Sequence, residues 1–182
     1  MTETLEFADL AGLEGWLERH HDVQAGLWVK VAKKGSGIAS VTAGEVNDAA
    51  LCWGWITGQR KAVDAAYYVQ KITPRRARSV WSQVNVRRVA ELIADGRMRE
   101  PGLAEIEAAK ADGRWDAAYA SQKDATVPED LAAALDADPK ARRAYENLGR
   151  TDAYLVLLPL LKARTAEARE AALRAAVARL GA

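Results

Sequence analysis

Three arginines stand within four residues at Arg75, Arg76 and Arg78, and Ser79, Trp81, Ser82, Asn85 and Arg88 follow at close spacing. A guanidinium is planar, permanently charged and matched to carboxylate or phosphate through paired hydrogen bonds. The indole adds a flat face, and the hydroxyls and carboxamide add directional donors and acceptors. Ser79 has the side chain of a helix N-cap, so the spacing predicts a helix from Ser79 to about Asp95, with Gly96 at its C-terminal end. Helix starts carry unpaired N–H groups and favour anions. On that helix Arg78, Trp81, Asn85 and Arg88 would share a face. Lys61 and Arg60, in the strand before, could reach the same place, and Trp55 flanks it. The candidate ligand-binding set is therefore Arg75, Arg76, Arg78, Ser79, Trp81, Ser82, Asn85, Trp55 and Lys61, and its chemistry suits a small anionic ligand or an acidic protein partner.

Charge segregation sharpens this reading. The chain of 182 residues has a net charge of only +1, yet residues 60–90 carry +7, between segments of −4 (1–59) and −6 (91–140); residues 141–182 carry +4. The basic stretch either serves a ligand or pairs internally with the acidic residues of 91–140. Two other uses of the same residues stay open. Single-stranded nucleic acid could bind the arginines with Trp55 and Trp81 as stacking surfaces, although the near-neutral total charge counts against it. A small enzyme could join Arg75, Ser79, Ser82, Asn85 and Lys61, with no reaction indicated.

Elsewhere the chemistry is thin. Cys52, the single cysteine, reads as a buried apolar residue with no adjacent base. His20 and His21 suit the C-terminal end of a first helix better than a metal. Glu45 and Asp48 could be paired carboxylates, but nothing nearby supports acid–base work. Lys33-Lys34-Gly35-Ser36-Gly37 lacks the spacing of a phosphate-binding loop. No catalytic residue, cofactor or metal site is assigned, and oligomeric state is left open.

The elements that must position these residues read as α+β. Asp9 caps a first helix bearing Leu10, Leu13 and Leu17; Leu27 to Lys34 alternates as a strand; Thr42 and Glu45 have capping-box spacing for a second helix. Trp55–Lys61 and Tyr67–Ile72 can pair as antiparallel strands. This predicts a small antiparallel sheet with packed helices in the N-terminal half. After Pro101 every signal is helical: Asp138-Pro139 opens one helix, Thr151 another in which Pro159 should kink or end it, and Thr165 a last one with a Leu173, Ala176, Val177 and Leu180 stripe. The expected domains are 1–98 and an all-α region, 99–182, with Ser121–Val127 as the best linker. Trp16 and Trp53 fall in helical apolar patterns and read as core, whereas Trp55 and Trp81 flank the basic segment and are candidates for exposure. No export signal or membrane span is legible, so the expected location is cytoplasmic.

LWVKVAKKGSG, SVTAGEVNDAALCWGWITG, ITPRRARSVWSQVN, GRM and AKADGRW together resemble the bacteriocin-protection, YdeI/OmpD-associated family across roughly Leu27 to Tyr119, and more loosely the KARTAEAREAALRAAVARL stretch near the end. The resemblance implies protection of bacteria against bacteriocins or cationic antimicrobial peptides, with no established catalytic residues. Thr57 stands where an acidic residue is usual, and Ile72 where phenylalanine is. Because the matching segment is basic, the resemblance and the charge together point to an anionic ligand rather than direct capture of a cationic peptide.

Overall fold

The structure, a computed structural model, describes residues 3–182. The chain divides into two compact units: residues up to Trp81 with Asn85–Ala117, and Ser82–Val84 with Ala118–Ala182.

The first unit is built on a sheet whose alternation decides everything around it. Its elements are β1 (Thr4–Glu6), α1 (Leu10–His20), β2 (Leu27–Ala32), α2 (Ala43–Cys52), β3 (Trp55–Ala62), β4 (Tyr67–Pro74), α3 (Gln83–Ala94, of this unit from Asn85 on) and α4 (Glu100–Ala111). The strand order is β1-β2-β4-β3. The β3–β4 and β2–β4 pairs are antiparallel, but β1 lies parallel to β2, so the sheet is mixed rather than wholly antiparallel. β1 has three residues, too few for a periodic signal. Leu27, Val29 and Val31 of β2 and Ile72 of β4 point to one face, and Leu13 and Leu17 of α1, with Val46, Ala49 and Ala50 of α2, close over them. Burying these side chains in one apolar cluster is the main stabilising term. Trp16 and Trp53 pack against that cluster as expected.

Local signals set the helix starts. Asp9 accepts from the Gly12 N–H at 2.9 Å. The Thr42 hydroxyl accepts from Glu45 N at 3.2 Å while the Glu45 carboxylate accepts from Thr42 N at 2.8 Å, a reciprocal capping box. Register slips once, between Thr57 and Arg60 of β3. The buried Gln70 carboxamide fills the irregularity, donating to the carbonyls of Gly58 at 2.9 Å and Gln59 at 3.2 Å.

α4 belongs to the first unit, which therefore extends beyond the expected limit at residue 98. Two glycines account for its close approach to α2. A Cβ on Gly102 would lie 2.2 Å from the Cys52 carbonyl oxygen, and Gly54, at φ +73°, would meet the Pro101 carbonyl at 2.8 Å. Arg99 N donates to the Cys52 carbonyl at 3.1 Å along the same seam.

The second unit holds α5 (Glu129–Ala137), α6 (Pro139–Glu146), α7 (Arg150–Lys162) and α8 (Ala166–Gly181). Its core joins Leu131, Leu135, Ala141, Val156, Leu157, Leu160, Ala176 and Leu180. Asp138 caps α6 by accepting from Lys140 N and Ala141 N, and Thr165 caps α8 by accepting from Ala168 N. Pro159 does not end α7, which continues to Lys162. Arg169 of α8 grips Asp130 of α5 through both carboxylate oxygens, at 2.7 and 2.9 Å. Among the described residues no helix is long and apolar enough to cross a membrane.

Replacing Gly102 by alanine forces α4 away from α2. The expected result is a loss of about 1–3 kcal/mol, the usual cost of overpacking, read as a lower urea midpoint at unchanged slope.

Candidate functional site

The segment after β4 forms a tight turn rather than a helix start. Ser79 N donates to the Arg76 carbonyl at 2.8 Å, and the Ser79 hydroxyl accepts from Arg76 N at 2.8 Å. Ser79 thus closes the turn and does not cap α3, which begins four residues later at Gln83. Arg78 and Trp81 lie before that helix, so only Asn85 and Arg88 of the expected face ride on it. The serine's competing local bonds explain the error: the same hydroxyl that caps helices also closes turns.

Arg75 is drawn inward. It is 8% exposed, its guanidinium carbon stands 3.6 Å above the Trp81 ring, and its Nη1 donates to the Val80 carbonyl at 3.2 Å. A desolvated cation on an indole contributes about 2 kcal/mol. Trp81 itself is 2% exposed and tilts against Trp115, ring centroids 4.9 Å apart. Trp115 and Arg114, the buried arginine that braces this turn, enter the sequence reading only as the end of the AKADGRW motif and not as site candidates. Arg114 binds Glu105 and Asp112, each at 2.6 Å, and donates to the Ser79 carbonyl at 3.2 Å. The signal that could have found them is the basic-aromatic pair Arg114-Trp115, read as a counterpart to Arg75 and Trp81.

Arg76 and Arg78 remain exposed on the turn. Among the described residues no carboxylate forms an ion pair with either. Ser82 pairs with Tyr119 in a short parallel bridge, and Asn85 is half-buried on α3.

Two expected members lie elsewhere. Trp55 is 1% exposed, sits in the core against Trp16, and donates from its ring nitrogen to the His21 carbonyl at 2.9 Å. Neither Trp55 nor Trp81 therefore offers a free face for stacking a base. Lys61 pairs in register with Val69, five residues back along β4 from Pro74. At about 3.4 Å per residue that places it roughly 17 Å from the turn, too far to join Arg75, Ser79, Ser82 and Asn85 in one catalytic constellation. Its ammonium lies 4.7 Å from the Trp28 ring centroid. Arg60 turns to the opposite face, bonding Gln70 at 3.0 Å.

Arg88 is committed internally. Its Nε and Nη2 bind the two oxygens of Asp48, at 2.8 and 2.6 Å, and its Nη1 binds Glu91. Arg97 adds contacts to Asp48 at 3.4 Å and to Glu14 at 3.3 Å. Asp48 is thus the centre of a network reaching α1, α2 and α3, and Arg88 holds its carboxyl below the ordinary value of 3.8. The basic segment does pair inside the molecule, but here chiefly with a carboxylate at residue 48 rather than with residues 91–140.

The lesser candidates are structural. Glu45 serves the capping box. His20 Nδ1 lies 2.8 Å from the Trp16 carbonyl and its ring stacks on Trp16, while His21 stacks on Trp53. Among the described residues no group of histidine, cysteine and carboxylate side chains is arranged to hold a metal. Burial pushes the Cys52 thiol up to about 11.

Residues 5–105 match the model of a domain of unknown function, DUF8412, over more than half of the chain. The chain belongs to that family. Residues 124–182 match the family described as bacteriocin-protection, YdeI or OmpD-associated, and form an OmdA domain. The motifs that carried the resemblance, from LWVKVAKKGSG to GRM, thus lie in the DUF8412 part. The OmdA match falls on the C-terminal helices, which the resemblance reached only loosely. No curated protein and no solved structure is significantly similar to the chain.

Two outcomes follow from this geometry. Asp48 has a lower pKa folded than unfolded, so its contribution is present above pH 3.8 and is lost as pH falls through the folded value. Asp48→Asn is expected to cost about 2 kcal/mol at pH 7, less than a fully buried pair because Arg88 is partly exposed to screening solvent, and to show a shallower fall in stability as the pH drops below 3.8. Cys52 is expected to resist a thiol reagent such as dithionitrobenzoate at pH 8 in the native protein and to react stoichiometrically once guanidinium unfolds it.

Proposed function

We propose that this DUF8412–OmdA protein is a non-enzymatic protection factor against bacteriocins or antimicrobial peptides that works by binding an acidic partner or anionic ligand through Arg76 and Arg78. Membership in the bacteriocin-protection family supports the biological role. One observation supports the site: the Arg76 and Arg78 side chains, two residues apart, stand in solvent without carboxylate partners, on a turn that does not have to be ordered upon binding.

The rigidity comes from beneath. Arg75 lies flat on Trp81, Arg114 holds the Ser79 carbonyl, and Arg75 N donates to the Gly54 carbonyl at 3.0 Å. A loop fixed in this way avoids the entropy cost of ordering long side chains on a mobile backbone. The original set of nine candidate residues then separates by role. Arg76 and Arg78 make contact, Arg75, Ser79 and Trp81 position them, Trp55 and Lys61 serve other parts of the first unit, and Ser82, bridged to Tyr119, and Asn85, half-buried on α3, take no part. An acidic surface would be steered to the turn and bound with strong salt dependence, as expected for exposed charges.

Arg76→Glu combined with Arg78→Glu tests the assignment. Both side chains are exposed and unpaired with carboxylates, so the melting temperature should stay within about 2 °C of wild type. Survival of bacteria expressing the variant under bacteriocin challenge should fall to the level of cells lacking the protein. Full protection by a folded variant would remove the turn from the mechanism.

A further inference from the structure

The sheet of the first unit has a second face, and its composition is not that of a solvated surface. Period-two alternation directs Trp28 and Lys30 of β2, Tyr67, Val69 and Lys71 of β4, Lys61 of β3 and Glu6 of β1 away from the helices. Trp28, Tyr67 and Val69 remain partly exposed, and Lys61 is exposed. Each aromatic ring there carries an ammonium. Lys61 and Lys71 stand 4.7 and 5.5 Å from the Trp28 ring centroid, and Lys30 stands 3.8 Å from that of Tyr67.

We propose that this open sheet face binds single-stranded nucleic acid, with Trp28 as the stacking platform and Lys61 and Lys71 as phosphate contacts. This site is separate from the Arg76–Arg78 turn and does not depend on the function proposed for it.

Charge on the face is uncompensated at the right place. Glu6 is committed to Lys30 at 3.1 Å, and among the described residues no carboxylate pairs with Lys61 or Lys71. Both ammoniums crowd the same indole, and the pKa of Lys71 is lowered by burial and by the charge of Lys61, so an anion between them relieves a repulsion built into the fold. Lys71 also donates to the Ala25 carbonyl at 2.9 Å, which keeps it beside the ring.

The aromatic–lysine pairing occurs twice. Trp28 is opposite Lys71 and Tyr67 is four residues further along β4, so the two platforms are roughly 14 Å apart. A single strand presents flat bases and phosphates in alternation, which fits one ring with two ammoniums free of carboxylates and a second ring farther along, whose lysine is already held by Glu6; a duplex hides its base faces, and an acidic peptide would use the lysines but leave the indole idle. Lys61 must lift from the ring for a base to stack. That exchange is favourable because an exposed cation–π contact is weaker than a base–indole stack.

Fluorescence anisotropy with a labelled oligo(dT) of about 12 nucleotides at low salt tests the assignment. Wild type should bind, and Lys61→Glu combined with Lys71→Glu, and separately Trp28→Ala, should each weaken binding about tenfold or more. Arg76→Gln with Arg78→Gln, outside the face, should weaken it far less than the neutral lysine variant does. Neutralising both lysines (Lys61→Gln with Lys71→Gln) should flatten the slope of log K against log salt by about 1.4. Trp28 is half-buried, so circular dichroism checks that its variant folds; the lysine variants keep the test open if it does not. No binding by wild type, equal binding of a duplex of the same length, or binding of polyglutamate at equal strength would overturn the proposal, as would an oligo(dT) affinity indifferent to the lysine pair.

Discussion

Covering one face of a four-stranded sheet with two helices constrains every other feature of the first unit. Once Leu27, Val29, Val31 and Ile72 are buried beneath α1 and α2, the residues between them have no choice of direction. Trp28 and Lys71 must share the other face because they alternate with core positions on paired strands. The same burial places the end of β4 beside Gly54, so the chain leaves the sheet at a fixed point and the arginine-bearing turn begins from a rigid base. Core packing and the two cationic surfaces are therefore consequences of one alternation.

The basic segment illustrates how poorly a sum of charges describes a surface. Its arginines meet three different fates within a few residues. Arg88 is bound by two carboxylates, Arg75 is covered by an indole, and Arg76 and Arg78 face water. The distinction follows from geometry on a scale of a few ångströms. Arg75, the first residue after β4, is pulled under the turn, whereas its neighbour Arg76 is carried outward. Desolvating a cation is costly without compensation, and the Trp81 face together with the Val80 carbonyl supplies part of it for Arg75.

Sequence alone made much of the architecture legible where the signals are local. The caps at Asp9, Thr42, Asp138 and Thr165 all form the bonds their residue types predict, and β2, β3 and β4 follow their alternation. What escaped was non-local. β1 is recognisable only through its parallel pairing with β2, and Asp48 becomes the centre of a charge network only through residues 40 and 49 positions away. The tryptophans give the clearest case. Trp55 and Trp81 stood beside charges in the sequence and are nevertheless buried, while Trp28, inside a strand with an ordinary alternating pattern, keeps an accessible ring. Proximity along the chain to a charged stretch says little about exposure when a turn or a strand end lies between. The Lys61 position shows the same limit, since its distance from the turn is set by ladder register and not by residue count.

The slip between Thr57 and Arg60 has a consequence for solubility. β3 lies at the border of the sheet, where unpaired backbone donors and acceptors could template the addition of a strand from another molecule. The irregularity interrupts that border, Gln70 ties up the carbonyls of Gly58 and Gln59 from within, and the charged Arg60 and Lys61 follow immediately. With Arg60 and Lys61 beside the irregularity, pairing of a further strand along β3, the longer of the two edge strands, is disfavoured.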